Sequence, residues 1–327
     1  MRRQTGGLSP GNDGSGGMTE PPHTTMDGRS WQLLLLLSVL WGGSFFFTGA
    51  AMRELPPVTV ALARVTLGAA FLLPVFKMLG GTWPKTAAGW MPFLGMGLLN
   101  NVIPISLQAA AQLYVSSGMT SVLNATTPVF GVIVLAAFGE EKLIARRAAG
   151  VVIGLLGVAI LRGDAFGSDT AQTTGILLGL GGALSYGFAG LWGRRKLAHV
   201  PPITSAACQL VCSTAVMAVL ASVVEQPWRL PVPSADAVLA LLGLGAFSTS
   251  LGYIVFFTIL RRSGATNTLL VTLLIPVTAI LLGHFVLGEP LTAREIGGAL
   301  VIGSALLVID GRLPGWLRKK ARAGAAT

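Results

Sequence analysis

The sequence predicts an all-α membrane protein of ten transmembrane helices arranged as two inverted five-helix repeats. Three observations carry that expectation. The 327 residues are 52% hydrophobic and only 11% charged, with a mean hydropathy of +0.71, whereas a soluble domain has about 25% charged residues. Apolar runs recur from Trp31 almost to Asp310, each near the roughly 20 residues that a helical span requires. The chain also repeats itself: at one fixed shift Thr120 falls on Thr268, Pro128 on Pro276, Glu141 on Glu289, Arg146 on Arg294 and Gly150 on Gly298.

Taken in order, residues 1–30 are rich in glycine and poor in apolar side chains, which predicts a disordered cytoplasmic tail without the apolar core of a signal peptide. Helices are then expected at 31–52, 57–77, 89–114, 119–138, 144–162, 173–193, 203–224, 237–260, 266–287 and 293–310. The first repeat occupies 31–163 and the second 173–312, and 313–327 forms a basic cytoplasmic tail. Five spans is an odd number, so the second copy must enter the membrane upside down. Two inverted halves around a midplane site are a recurring architecture of secondary transporters.

Loop charges orient the chain, because basic residues in short loops mark the cytoplasmic side. With the N-terminus inside, cytoplasmic segments hold Lys77 and Lys85, Lys142 with Arg146 and Arg147, Arg194 to Lys196, Arg261 and Arg262, and the cluster from Arg312 to Arg322. Outer loops hold only Arg53, Arg162, Arg229 and Arg294. Both termini are therefore expected in the cytoplasm, in a multi-pass protein of the inner (plasma) membrane. The net charge of +10 is spread between apolar runs and forms no soluble basic face, so nucleic acid is not expected as a partner. The expected partners are the lipid bilayer and a small-molecule substrate. The sequence leaves monomer and homodimer open. Cys208 and Cys212 share one apolar run and read as packing thiols; no metal site or cofactor is expected.

The segments "LWGGSFF" at 40–46, Arg64 in the second helix, "TTPVF" at 126–130 with "GEEKL" at 139–143, and "IPVTA" at 275–279 with "GEPLTAREIGG" at 288–298 resemble EamA-type transporters of the drug/metabolite transporter superfamily. The similarity extends over about residues 31–312. It implies ten helices, cytoplasmic termini, a central cavity, and export of amino acids or related small metabolites. One departure is the first helix of the second half, where Ser185, Tyr186 and Gly187 stand in place of Trp41, Gly42 and Gly43.

Polar side chains within a bilayer face the bundle interior or a cavity. Asn101, Gln108 and Gln112 fall on one stripe of the third helix with Ile105 between them, and the mates of Asn101 and Ile105 in the eighth are Thr249 and Tyr253. The fourth helix presents Thr120, Asn124 and Pro128 on one face, and the ninth repeats it as Thr268, Thr272 and Pro276. Each proline frees a carbonyl four residues earlier, which either binds substrate or lets the helix bend, so Pro128 and Pro276 are candidate hinges. Ser106 lies off the stripe and is expected to bond its own helix. Thr292 and Glu295 form a capping-box signature at the start of the last helix.

Arg64 is the one basic residue inside a span, with no acid in the membrane to pair with it. It either receives a substrate carboxylate with its planar fork or holds backbone carbonyls and an aromatic such as Trp41. Its mate in the second repeat is Gln209. The candidate substrate-binding set is thus Trp41, Arg64, Asn101, Gln108, Asn124, Gln209, Tyr253 and Thr272. His284, the one histidine in a span, is a candidate for proton coupling.

An alternating-access exporter fits these features. Export of drugs or other metabolites is the alternative transporter reading, although the first helix offers no acid for a cation. An intramembrane enzyme would need a recognisable catalytic set, and there is no HExxH, aspartate pair or nucleophile beside a histidine. A non-transporting scaffold leaves the amide stripe unexplained.

Overall fold

The computed structural model describes residues 27–162, 170–268 and 270–310, and the two terminal tails expected from the sequence lie outside these residues except at 27–30. Every regular element among the described residues is helical. Seven helices are long and apolar enough to cross a membrane: α1 (Gly28–Ala51), α2 (Pro57–Met78), α3 (Ala87–Ala111), α4 (Ser117–Ala137), α6 (Thr170–Lys196), α7 (Pro202–Val224) and α8 (Ala235–Gly264). Between and after them come α5 (Ala145–Arg162), the shorter apolar α9 (Val271–Leu287) and α10 (Ala293–Asp310). The eighteen residues of α5 include Arg146, Arg147 and Arg162, and those of α10 include Arg294, Glu295 and Asp310.

Local chemistry explains the boundaries that differ from expectation. The first helix begins at Gly28, three residues earlier than apolarity alone suggests, because the Asp27 carboxylate accepts a hydrogen bond from Ser30 N at 2.9 Å and caps the helix. Residues 28–30 therefore belong to α1 and not to the tail. Gly264 (φ 76°) breaks the preceding helix in a conformation that only glycine adopts freely; helical residues resume at 265–268, close to the expected start of the ninth helix, and α9 proper runs from Val271. The fourth helix is interrupted by a turn at Ala125 and Thr126, just before Pro128.

The packing follows a reciprocal pattern. α2 lies against α7 and α5 against α10, while α1 packs on α8 and α9 and α6 packs on α3 and α4. Each first helix of a repeat is thus held by the third and fourth helices of the other. Close approach of α5 to α10 is possible because Gly150 and Gly157 present no side chain: a Cβ at Gly150 would lie 3.1 Å from Ala305 O, and one at Gly157 would lie 3.3 Å from Gly298 O. One apolar cluster around Leu34, Leu37, Ile259 and Ile275 joins α1, α8 and α9. A second, around Val65, Leu72, Leu210 and Met217, joins α2 to α7 and α3.

At one end of the bundle, acids of one half cap helices of the other. Glu225 accepts Val58 N (2.9 Å), Thr59 N (2.6 Å) and the Thr59 hydroxyl (2.8 Å) at the start of α2. Glu289 accepts Ser117 N and Oγ at the start of α4, and Glu54 accepts Ser234 N and Oγ at the start of α8. These bonds hold the Glu54 carboxyl below its ordinary value, Ser234 being the cause. Glu295 completes the expected capping box with Thr292 and also takes the Ser116 hydroxyl. At the opposite end Arg194 and Arg195 pair with Glu141 and Glu140, and Arg262 pairs with Asp27.

Candidate functional site

The centre of the bundle is organised by a wide turn in α3. Pro104 has no N–H, so the carbonyl of Asn100 loses its usual helical donor. The chain responds with a π-helical stretch over Leu98–Val102, closed by Ile103 N to Leu98 O. The extra residue in this turn brings Asn100 and Asn101 together toward α7 and α8. Asn100 Nδ2 donates to Gln209 Oε1 at 3.1 Å and to the Tyr253 hydroxyl at 3.0 Å. Tyr253 in turn donates to Asn101 Oδ1 at 3.3 Å. Asn101 Nδ2 donates to Ser213 Oγ at 3.0 Å, and Ser213 donates to Gln209 O at 2.6 Å. One continuous network therefore ties α3 to α7 and α8.

This arrangement corrects the expected single stripe of Asn101, Gln108 and Gln112. The wide turn resets the helical phase, so Asn101 pairs with Ser213 while Gln108 donates at 2.6 Å to Asn124 Oδ1 on α4. Gln112 lies at the end of α3, and its Oε1 is buried without a hydrogen-bond partner. Ser106 is corrected as well: its hydroxyl meets the Met217 sulfur at 3.6 Å rather than its own backbone.

Arg64 stands on α2, half-buried, beside this network. Its Nε donates to Thr249 Oγ1 at 3.3 Å, and the phenols of Tyr186 and Tyr253 are its electrostatic neighbours. Among the described residues no carboxylate lies within ion-pairing distance of it. Thr249 sits in a second π-helical stretch, Gly243–Leu251, and donates back to Leu244 O at 2.8 Å. A guanidinium held by one long neutral bond keeps most of its five donors available.

Trp41 packs on Phe256 with ring centroids 5.3 Å apart, and Gly252 gives its indole room, since a Cβ there would lie 2.6 Å from Trp41 Nε1. Tyr253 stacks on Phe257 at 5.9 Å. At the break before Pro128 the freed Asn124 carbonyl accepts the Thr127 hydroxyl at 2.7 Å. Pro276 lies inside α9 and Thr272 is half-buried one turn before it. His284 is exposed at the end of α9, its Nδ1 3.0 Å from Glu289 O, away from Arg64 and the amide network. The structure thus gathers Arg64, Asn101, Gln209 and Tyr253 into one site, places Gln108 with Asn124 beside α6, and leaves His284 at the bundle end.

Sequence periodicity missed Asn100, Ser213 and Ser185, whose hydroxyl donates to Leu99 O at 2.8 Å on the wide turn. The signal for Asn100 is present in the chain: Pro104, four residues later, disrupts the regular turn that places only Asn101 on the stripe.

An all-helical, strongly apolar bundle with a polar network and an uncompensated arginine between its two halves is the build of a multi-pass membrane transporter. Comparison with known proteins agrees. The model of the EamA-like transporter family matches residues 29–163 and again 173–309, so the chain belongs to that family and contains two of its repeats. Its relatives include the transporter YvbV of Bacillus subtilis (strain 168), 28% identical over 293 residues covering 86% of this chain and 92% of the relative. The inner membrane transporter YedA of Escherichia coli (strain K12) is 26% identical over 85% of this chain and 90% of its own length. A Salmonella typhimurium (strain LT2) protein named "Probable amino-acid metabolite efflux pump" is 25% identical over 84% of this chain and 93% of its own. A solved crystal structure superposes with a TM-score of 0.62 at 19% identity, covering 86% of this chain and 98% of that one, and shows the same fold.

Proposed function

We propose that this transporter exports amino acids or related small metabolites across the inner membrane by alternating access. In this reading all ten helices span the bilayer as two inverted five-helix repeats with both termini in the cytoplasm. The observation that carries it is the network of Asn100, Asn101, Gln209 and Tyr253 beside Arg64. These residues come from both repeats and converge at the middle of their helices, where a polar cluster is costly unless it serves a pathway. The reciprocal packing of α1 on α8 and α9, and of α6 on α3 and α4, supports a two-fold exchange between repeats. The distribution of loop charges supports the orientation. The end fastened by Glu54, Glu225 and Glu289 is then the outer one, and the end with the Arg194 and Arg195 ion pairs is cytoplasmic.

Within the site Arg64 receives the substrate carboxylate, since a bidentate partner suits its free donors. The amide network offers neutral donors and acceptors, and Trp41 and Phe256 offer an apolar wall. Purified protein in liposomes, screened with labelled neutral amino acids with and without a pH gradient, tests the reading. Saturable flux supports it, and absence of flux for every amino acid overturns the substrate assignment.

A further inference from the structure

A polar cavity lies at the end of the bundle where α1, α3 and α9 finish. It has a volume of about 200 Å³ and is lined by Arg53, Gln112 and Glu289 on its polar side and by Met52, Leu113 and Leu287 on its apolar side. Three features are unusual together. Arg53 makes no ion pair among the described residues, and its guanidinium donates to Leu287 O at a long 3.4 Å. Gln112 Oε1 is buried with no hydrogen-bond partner. Glu289 accepts Ser117 N at 3.0 Å and Ser117 Oγ at 2.7 Å, and a carboxylate with about four acceptor positions retains room for another donor.

We infer that this cavity is a second binding site, specific for zwitterionic α-amino acids. A cation and an anion stand in one small cavity without pairing with each other, so the complementary ligand carries both charges on adjacent groups. Arg53 takes the α-carboxylate, while Gln112 Oε1 and Glu289 take the α-ammonium. Met52, Leu113 and Leu287 accept an apolar side chain. An amine lacking the carboxylate leaves Arg53 facing a like charge, and an acid lacking the ammonium leaves Gln112 and Glu289 unmatched, so neither half fits. Gly49 keeps the space open: a Cβ there would lie 3.2 Å from Leu287 Cδ1 and 3.3 Å from Gln112 Oε1.

The site connects to the centre through α3, where Gln112 stands one turn beyond Gln108 and its partner Asn124. On the export reading, which makes this end the outer one, the site stands on the release side. Its ligand chemistry follows from the cavity residues themselves.

Modification of a single thiol tests the site without requiring transport. Leu113 is 57% exposed, so Leu113→Cys in full-length protein with Cys208→Ala and Cys212→Ala places a reactive group at the cavity wall. In liposomes, saturating L-leucine is expected to slow its reaction with a membrane-impermeant thiol reagent by on the order of tenfold. Isopentylamine and 4-methylpentanoate, which each carry one of the two charges, are expected not to. Arg53→Gln removes the protection, and Gly49→Val, by filling the cavity, removes it as well. The inference is overturned by a thiol that does not react, by leucine giving no protection, by equal protection from either half-molecule, or by protection that survives Arg53→Gln. Protection without amino-acid flux would sink the export reading and leave this site standing; flux without protection would do the reverse.

Discussion

Arg64 Nε lies 3.3 Å from the Thr249 hydroxyl, joining α2 to the π-helical stretch of α8. The bond joins the two repeats at Arg64, half-buried two turns into α2, and Thr249 is itself fixed by its 2.8 Å bond to Leu244 O. Arg64 is therefore oriented by a neutral partner that leaves its charge uncompensated. For Arg64→Gln, flux in liposomes is expected to fall by ten- to a hundredfold, the equivalent of about 1.5–3 kcal/mol for a hydrogen bond to a charged group. Thr249→Val is expected to weaken transport less. Wild-type flux from Arg64→Gln would show that the arginine only holds helices together.

Asn100 serves two acceptors, Gln209 and Tyr253. Asn100→Ala leaves the Gln209 amide oxygen without that donor and is expected to cost about 1–3 kcal/mol, seen as a lower unfolding temperature in detergent. Ser106→Ala, which removes only the 3.6 Å contact with Met217 sulfur, is the control and is expected to be near neutral.

Glu225 closes the start of α2 from the opposite repeat with three hydrogen bonds. Glu225→Ala is expected to destabilise by about 1–2 kcal/mol, as for loss of a strong helix cap. Glu225→Gln retains an acceptor oxygen and is expected to recover part of it. Thermal unfolding of the three proteins side by side checks the order.

Gly97 lets α3 touch α7: a Cβ there would lie 2.9 Å from both Gln209 O and Ser213 Oγ. Gly97→Ala is expected to cost about 1–3 kcal/mol by overpacking and to disturb the amide network at the same time. A folded variant with unchanged stability would show that α3 and α7 can separate freely.

Asp27 gives a pH dependence with a defined sign. Hydrogen bonds from Ser30, with a further contribution from Arg262, hold its carboxyl at about 2, below the ordinary 3.8. A depressed carboxyl stabilises the fold fully above its unfolded value and loses that contribution as pH falls through the folded one. The hydrogen-exchange protection of the first turn of α1, taken relative to the intrinsic exchange rate at each pH, is expected to be full at about pH 5 and to fall on acidification between about pH 4 and pH 2. Asp27→Asn is expected to flatten that change.

The sequence by itself determined the class of this protein. Apolar runs of span length, two matching halves and the prolines of the fourth and ninth helices are properties of the linear chain, and burial of apolar surface makes them structural. Arg64 was visible for the same reason, as a charge where charge is costly. Only the tertiary structure decided which polar groups meet. The π-helical turn before Pro104 shifts the phase of α3, so Asn100 joins Asn101 where a regular helix would separate them. Ser213 enters because α7 lies against that turn, and Arg64 finds Thr249 because the widened α8 packs on α2. Periodicity reports one face of one helix. The partner across the gap depends on how two helices from different repeats come together, and that is fixed by long-range packing that no local pattern encodes.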